Sequence, residues 1–432
     1  MRIAVIGSGI AGLSAAYQLA KSKQDVCLFE ANDYFGGHTH TVDVDVDGHR
    51  FGVDTGFLVF NHHTYPNLVR LFQDLQIDTV NTDMSFSVSM PGPDGKALEW
   101  SGTSLDTVFA QRSNLLRPGF WRMLRDILRF NKQTTDLAKS QNLEDWQMPL
   151  GQFLDRFSYS HEFRQWYLLP MAACIWSCPT ETMMAFPVAS FATFCHNHGL
   201  LQITDRPQWR TVRGGARQYV EKILQAIPQT CLNTPVRAVR IGAGGLPEVQ
   251  TDAGSEVFDQ VVFACHSDQT LRLLEGATTE ESAILSAVRY QPNVAVLHTD
   301  ASVLPARQKA WSAWNYQSEG GAEPRVCVHY LLNQLQPLPC STPVIVTLNP
   351  VSEIAKDKII ASYDYAHPVF DQAAVAAQQQ LNRIQGQRRL WFAGAWTGYG
   401  FHEDGLKSGL KVAQGILQQM LAEQSWADAA EG

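Results

Sequence analysis

The sequence predicts an α/β protein whose first unit is a Rossmann-like nucleotide-binding domain. Three observations support this prediction: a glycine-rich turn between a buried strand and a helix, an acidic residue at the end of the second strand, and a late strand that passes through glycine into the last helix. A chain of 432 residues exceeds one typical hydrophobic core, so we expect a second domain.

The glycine-rich turn follows a predicted strand at Arg2–Ile6 and opens a predicted helix at Leu13. Gly7 allows the sharp turn, Gly9 lets a pyrophosphate approach the backbone, and Gly12 lets the helix pack closely against the strand. The N-terminus of the helix adds free N–H groups and the positive end of a dipole. The turn is therefore expected to bind the phosphates of a dinucleotide.

The second predicted strand, Val26–Phe29, ends on Glu30, eighteen residues after Gly12. A carboxylate at this position can accept hydrogen bonds from both ribose hydroxyls of an adenosine. The negative charge argues against a 2′-phosphate. The motif alone leaves NAD and FAD open.

Composition narrows the class of protein. Hydrophobic residues make up 45% of the chain, the net charge is −8, and the pI is near 5.9, which gives no reason to expect nucleic-acid binding. The eight cysteines lack a CxxC pair, so we expect reduced thiols and no metal site. A strand that begins at residue 2 and the absence of long apolar runs predict a cytoplasmic protein.

The residues after Glu30 carry a family resemblance. Gly36, Gly37 and His38 follow at a short interval, and a predicted hairpin from Thr41 closes before Gly56-Phe57. Here the chain resembles the FAD-binding half of the flavin amine oxidase, phytoene desaturase and protoporphyrinogen oxidase superfamily. The resemblance implies FAD as the cofactor, the glycine pair along its diphosphate, and the segment after the hairpin beside its isoalloxazine ring.

The resemblance also implies a domain organisation. A later glycine pair before a helix looks like the superfamily's return to the nucleotide domain, and a Pro-Gly-rich turn marks the point where the early strand pattern stops. We predict a Rossmann-like FAD-binding domain of the GR2 type over 1–90, 206–275 and 380–432. An inserted α+β substrate domain is predicted over 91–205 and 276–379.

Two stretches of the predicted substrate domain allow more than one interpretation. Within 118–132, Trp121, Leu128 and other apolar residues project to one side and the basic residues to the other. Such a helix either packs on its own domain or contacts an anionic membrane surface peripherally. The apolar stretch 166–201 either lines a hydrophobic substrate tunnel or packs as core.

The C-terminal strand and helix point to a narrower family. Together with AWNY, VTLNP and HPVF upstream, the ending GAW…GYGFHEDGL resembles bacterial NAD/FAD-binding oxidoreductases related to the amino-terminal region of plant cyclopropane fatty acid synthases. This implies action on lipid acyl chains, or beside a lipid-modifying methyltransferase partner. The last helix is expected to aim its N-terminus at the flavin, with Asp404 as its N-cap.

Most residues expected to hold FAD belong to the turn, the end of the second strand, the glycine pair, the end of the hairpin, and the late strand and helix. Two more lie on predicted strands in 206–275. The full set is Gly7, Ser8, Gly9, Ile10, Ala11, Gly12, Glu30, Ala31, Gly36, Gly37, His38, Thr39, Gly56, Phe57, Val236, Ala264, Gly394, Asp404, Gly405 and Leu406. His38 departs from the superfamily, which usually has arginine there. Ala395 likewise stands where an acidic residue is usual.

We predict an FAD-dependent oxidoreductase acting on a hydrophobic substrate, with a fatty acyl chain desaturated, saturated or isomerised by hydride transfer to or from flavin N5. His402 and Glu403 are candidates for proton handling, with structural roles as the alternative. A flavin amine oxidase is a second possibility, weakened because no lysine or tyrosine pair matches that chemistry. A non-catalytic flavoprotein partner of a lipid-modifying methyltransferase is a third.

Overall fold

A computed structural model of the chain describes residues 1–93, 95–140, 148–176, 183–197, 207–320 and 327–431. Its strands, in chain order, are β1 Arg2–Ile6, β2 Asp25–Phe29, β3 Thr41–Val46, β4 His49–Asp54, β5 Phe60–Asn61, β6 Thr79–Thr82, β7 Phe86–Pro91, β8 Ala97–Ser101, β9 Trp209–Val212, β10 Gln229–Cys231, β11 Val236–Ile241, β12 Pro247–Thr251, β13 Gly254–Val257, β14 Gln260–Phe263, β15 Arg289–His298, β16 Trp314–Gln317, β17 Cys327–Leu331, β18 Ile345–Leu348, β19 Ile359–Val369 and β20 Leu390–Phe392.

Its α-helices are α1 Ile10–Lys21, α2 Pro66–Asp74, α3 Leu105–Val108, α4 Pro118–Ser140, α5 Leu150–Arg156, α6 His161–Phe163, α7 Leu169–Trp176, α8 Val188–Asn197, α9 Arg217–Leu224, α10 Ser267–Leu273, α11 Thr279–Ser286, α12 Leu332–Leu335, α13 Gln372–Gln380 and α14 His402–Glu431. A π-helical turn at Arg164–Leu168 precedes α7. Of the apolar stretch 166–201, residues 177–182 and 198–201 lie outside the described residues.

The first sheet has five strands in the order β10-β2-β1-β14-β20, and all of its pairs are parallel. Successive β1 side chains point to opposite faces. Ile3 and Val5 pack with α1, α2, α9 and α14 on one face, whereas Ala4 and Ile6 pack with β11, β12, α11 and α13 on the other. Apart from the edge strand β10, the strands are buried on both faces, which is the arrangement expected of a parallel sheet covered by helices. The α/β fold class is confirmed.

The second large sheet has seven strands in the order β19-β15-β18-β17-β16-β7-β8. One cluster joins this sheet to the helices that follow it, because Val88 and Trp100 pack against Phe120 and Met123 of α4. Since β7 pairs with β16 and β8, the predicted domain boundary at 90/91 falls inside a strand of this sheet.

The helix α4 departs from the helical projection in one respect. Phe120, Met123 and Phe130 are buried, but Trp121 and Leu128 are exposed and lie on the arginine-bearing side. The prediction that Trp121 and Leu128 lie on the same side of the helix as the other apolar residues, apart from the basic ones, is therefore wrong. Among the described residues, no helix is long and apolar enough to cross a membrane.

Candidate active site

The turn between β1 and α1 is shaped by close backbone contacts. Gly7 has a φ of 101°, and its N–H donates to the Phe29 carbonyl over 2.9 Å. A Cβ at Gly12 would lie 1.8 Å from the Gly7 carbonyl oxygen, so only glycine fits there. A Cβ at Gly9 would meet no atom within 4 Å, because Gly9 faces open space at the start of α1.

Two helix N-termini meet beside this turn. A Cβ at Gly405, in the first turn of α14, would lie 2.8 Å from Cγ2 of Ile10, at the start of α1. The Ser14 hydroxyl donates to the Leu406 carbonyl over 3.1 Å, and the Gly409 backbone packs against Ala11. The positive ends of both helix dipoles are thereby brought to one place, which suits an anionic ligand.

Glu30 links the second strand to the turn. One carboxylate oxygen accepts from the Ser8 N–H over 3.0 Å and from the Ser8 hydroxyl, and the other accepts from the Asn32 N–H over 2.9 Å. The Ser8 hydroxyl also accepts from the Gly36 N–H over 3.1 Å. Each carboxylate oxygen has two acceptor positions, so these three hydrogen bonds leave one position, on the second oxygen, for a ribose hydroxyl.

The glycine pair forms a wall opposite the turn. Gly37 has a φ of 58°, and a Cβ there would lie 3.1 Å from the Gly9 Cα. Nε2 of His38 and Nε1 of Trp396 are buried polar atoms that no group in the described part of the chain satisfies. Open space at Gly9 beside an unsatisfied nitrogen is what a site for a bound polar group requires. The residues present therefore fit the implied FAD.

His38 lies among aromatic and imidazole rings. Its ring stacks on Tyr365 at 4.8 Å and lies 5.3 Å from the ring of His367. Nδ1 of His367 is in turn 3.1 Å from Nδ2 of Asn293. Burial, reinforced by neighbouring imidazoles, lowers the pKa of His38 well below its usual value. The His38 imidazole is therefore neutral at physiological pH, and its contact with FAD stays a prediction.

The other predicted FAD residues lie on the same group of elements. Thr234, two residues before the buried Val236, donates its N–H to the Glu30 carbonyl over 2.8 Å, and Ala264 donates its N–H to the Ile6 carbonyl over 2.8 Å. The remaining ones are half-buried or buried in the turn, the glycine pair, the hairpin end and the late strand, except the exposed Ala31: Ile10, Ala11, Ala31, Thr39, Gly56, Phe57 and Gly394. Their contact with FAD stays a prediction.

The His402 imidazole is held by two partners. Its ring stacks on Phe57 at 3.8 Å, and its Nε2 is 2.6 Å from the Tyr219 hydroxyl, which is also 2.6 Å from the Thr39 hydroxyl. Burial lowers the pKa of His402 to about 3, so the imidazole is neutral at physiological pH. These contacts favour a positioning role over that of a strong base.

Glu403 and Asp404 are tied to backbone amides. The Glu403 carboxylate accepts from the N–H groups of Asn67 and Leu68, at the start of α2, and from the Asn67 side chain. Asp404 accepts from the N–H groups of Tyr399 and Phe401. Because α14 begins at His402, the prediction of Asp404 as N-cap is wrong. Asp404 lies within the first turn and reaches back to the amides before the helix.

A Glu403 variant separates the structural role from proton handling. Glu403→Ala is expected to lower the free energy of unfolding by about 2 kcal/mol, because α2 loses acceptors for two N-terminal amides. Flavin reduction by substrate should keep its rate. Urea unfolding and stopped-flow absorbance measure the two effects, with the exposed Glu423→Ala on α14 as control. A stable variant with slow reduction would contradict the structural assignment.

Sequence reasoning missed Tyr219, Tyr365, His367 and Gly409. Tyr219 lies on the apolar side of α9, where its pattern is that of an ordinary core residue. Gly409 follows Gly405 at a spacing of four, which places two small residues on one helix face and could have signalled close helix packing. His367 lies in the HPVF segment, which the sequence singled out only as a family feature.

A cavity of about 250 Å³ adjoins the segment between Gly394 and Gly405. Its described lining residues are uncharged and largely apolar: Phe186, Pro187, Phe370, Val375, Gln378, Thr397, Gly398 and Tyr399. The cavity lies between the helical part of the inserted region and the approach to α14. Among the described residues, no group of three or more His, Cys, Asp or Glu side chains could hold a metal ion.

Comparisons with known proteins bear on this arrangement. The profile of the family described as flavin containing amine oxidoreductase matches residues 10–329. A 1-hydroxycarotenoid 3,4-desaturase from Flavobacterium sp. (strain P99-3) is 45% identical over 75 residues, 17% of this chain and 14% of the desaturase. Flavin-containing amine oxidase A of Canis lupus familiaris is 25% identical over 228 residues, 52% of this chain and 42% of the oxidase. The chain thus spans less than half of these relatives.

Solved structures share the fold over nearly the whole chain. Cyclohexylamine oxidase from Brevibacterium oxydans IH-35A aligns with a TM-score of 0.70 and 16% identity, covering 97% of this chain and 99% of that one. A CLA-producing fatty acid isomerase from P. acnes aligns with a TM-score of 0.66 and 14% identity, covering 96% and 98%. At these identities the likeness is one of fold.

Proposed function

The chain belongs to the family of flavin-containing amine oxidoreductases, whose profile matches most of its length, and FAD is its cofactor. From this premise we propose that it is an FAD-dependent oxidoreductase acting on a hydrophobic substrate, with a fatty acyl chain as the substrate class. The reaction is a desaturation, a saturation or a double-bond migration. FAD, when bound, supplies the acceptor or donor of hydride at its N5 atom.

The uncharged cavity beside α14 is the observation that carries the proposal. A cavity lined by Phe186, Phe370 and Val375 binds hydrocarbon favourably, because the apolar surfaces of both the cavity and the chain are removed from water. The side-chain amide nitrogen of Gln378 donates to the Trp396 and Gly398 carbonyls over 2.7 Å each. Both of its N–H groups are therefore used and do not face a polar substrate group. The lining therefore favours a neutral chain over a cation.

The protein groups around the cofactor are proposed to bind and orient it. The amides at the starts of α1 and α14 would stabilise the negative charge of the diphosphate and of the reduced ring. The Glu30 carboxylate orients the ribose while it holds Ser8. His402 stacks on Phe57 and is hydrogen-bonded to the Tyr219 hydroxyl, so it would keep both side chains in place when the cofactor binds.

The relatives are consistent with more than one substrate class. The matched names include a carotenoid desaturase and a fatty acid isomerase, both acting on long hydrocarbon chains, and also amine oxidases. Amine oxidation is the second candidate because the family takes its name from it. The lack of a carboxylate among the described lining residues speaks against a cationic substrate.

Anaerobic spectroscopy of the FAD-loaded protein distinguishes the two. Titration with an unsaturated phospholipid is expected to bleach the oxidised flavin band in a desaturation, to restore the band of flavin reduced beforehand in a saturation, and to move the double bond without either change in a migration. Titration with cyclohexylamine or putrescine is expected to leave the oxidised band unchanged. Bleaching by the amines alone would replace the proposal with amine oxidation. An oxidised band that neither compound bleaches, a reduced flavin that the lipid does not re-oxidise, and no change in the double bonds of recovered lipid would together leave a flavoprotein partner of a lipid-modifying methyltransferase.

Filling the cavity tests its use. Val375→Trp is expected to slow reaction with the acyl substrate about tenfold or more while FAD binding stays unchanged, because the indole occupies the space the chain needs. Ala376→Trp is the matched control, since Ala376 is exposed on the same helix. Single-turnover absorbance measures the rates. Equal rates for both variants would exclude this cavity as the substrate site.

A further inference from the structure

Five large apolar side chains are exposed around the start of α4. Leu105 opens α3 at 79% exposure, Leu116 ends a 3₁₀ turn at 87%, and Trp121 and Leu128 on α4 are 50% and 56% exposed. Leu115 is also exposed. We call Leu105, Leu115, Leu116, Trp121 and Leu128, with the basic residues between them, the Leu116 surface. Single exposed apolar residues are ordinary, but a contiguous group marks an interaction site.

Contacts within the surface make it continuous. The Trp121 indole N–H donates to the Leu115 carbonyl over 2.9 Å, and its ring lies 5.4 Å from that of Phe109, which follows α3. An ion pair between Arg112 and Asp106 joins the 3₁₀ turn to α3. The apolar side chains are therefore held on structured elements, facing solvent.

Basic residues are interleaved with the apolar ones. Trp121, Arg125, Leu128 and Lys132 follow one another at spacings of four, three and four, and all are exposed, so they form one stripe along α4. The segment 105–132 contains six Lys or Arg and two Asp, a net charge of +4 in a chain of net charge −8. The positive charge is local to this surface.

Neighbouring acids neutralise only part of this charge. Glu162 pairs with Arg122, and the buried Asp126 lies 3.8 Å and 3.4 Å from Arg125 and Arg129. Asp106 pairs with both Arg112 and Lys309, so this one carboxylate faces two positive charges. Arg125 keeps 72% of its side chain exposed, so its guanidinium is free to contact an external anion.

We infer that the Leu116 surface docks the protein on an anionic lipid bilayer, with the leucines and Trp121 inserted at the headgroup level and the arginines on the phosphates. Apolar side chains rimmed by basic ones match the two components of such an interface, its acyl boundary and its negative headgroups. A protein partner would offer acidic residues at fixed positions rather than a continuous charged plane. The inference does not depend on the substrate or on the reaction.

Vesicle co-sedimentation of the FAD-loaded protein tests it. The protein is expected to sediment with vesicles of equal parts phosphatidylglycerol and phosphatidylcholine, and to be released by molar salt because screening weakens the charge attraction. Leu116→Ser is expected to weaken binding about tenfold, and Arg125→Glu about fivefold or more, from the loss of apolar burial and of one basic contact. Both residues are exposed, so folding is not at risk.

Matched controls are available elsewhere on the surface. Leu421→Ser removes another exposed leucine, and Arg70→Glu reverses another exposed arginine, and both should bind vesicles as the wild type does. Absence of wild-type binding to anionic vesicles would overturn the inference. Equal binding by Leu116→Ser, Arg125→Glu and their controls would overturn it as well.

Discussion

Gly9→Ala is expected to bind FAD about 100-fold more weakly than the wild type while the apoprotein keeps its stability to within about 1 kcal/mol. Gly9 has an ordinary φ of −62°, and an added Cβ would meet no protein atom within 4 Å. The methyl group would occupy the space where the diphosphate approaches the backbone, and charge-assisted hydrogen bonds worth about 2 to 3 kcal/mol would be lost there.

Gly12→Ala provides the contrast within the same motif. Its Cβ would lie 1.8 Å from the Gly7 carbonyl oxygen, so the turn must open and the apoprotein should lose about 3 kcal/mol or more of stability. FAD fluorescence titration gives the affinities, and urea unfolding of the apoproteins gives the stabilities. Wild-type FAD affinity in Gly9→Ala would show that the open space beside α1 is not the diphosphate site.

The protein is expected to lose about 2 kcal/mol of stability for each of His298 and His329 when the pH falls from 7 to 5. Both side chains are buried in the seven-stranded sheet, and burial lowers the pKa of His298 to about 4 and that of His329 to about 3. An unfolded histidine titrates near 6.5, so between about pH 6.5 and 4 the unfolded state binds more protons than the folded state. The free energy of unfolding therefore decreases as the pH is lowered through this range.

A directional chain of hydrogen bonds explains why these imidazoles stay neutral. The Asp300 N–H donates to Nδ1 of His298 over 3.0 Å, so the proton of His298 is on Nε2, which donates to the Thr347 hydroxyl over 2.7 Å. That hydroxyl donates to Nδ1 of His329 over 2.8 Å, and Nε2 of His329 donates to Oε1 of Gln317 over 2.9 Å. A second proton on His298 would have to sit on Nδ1, where it would point at the Asp300 N–H, so the imidazole stays neutral.

The slope of unfolding free energy against pH is the measurement. His298→Gln should reduce the mean slope between pH 7 and 5 by about 1 kcal/mol per pH unit, because one titrating group is removed. It should also lower stability at pH 7, since the Asp300 and Thr347 partners lose an imidazole. His49→Gln, which makes the same substitution at an exposed position of another strand, is the control. An unchanged slope in His298→Gln would contradict the neutral chain.

The local pattern of the sequence determined the nucleotide-binding unit. The spacing of Gly7, Gly9 and Gly12 between an apolar strand and a helix has few backbone solutions, because each glycine meets a separate steric requirement. Glu30 followed from the same unit, since the next parallel strand must end at the same edge of the sheet. The fold class and a dinucleotide cofactor were therefore predictable, whereas the choice of FAD over NAD came from the family resemblance of the residues after Glu30.

Tertiary structure alone decided which residues meet across the site. The close approach of Gly405 to Ile10, the chain from Thr39 through Tyr219 to His402, and the ties of Glu403 to α2 each join residues more than 150 positions apart. Helical periodicity likewise could not tell which side of α4 faces the core, because Trp121 and Leu128 are as apolar as Phe120. Burial depends on what packs against a segment, and a local pattern does not contain its distant neighbours.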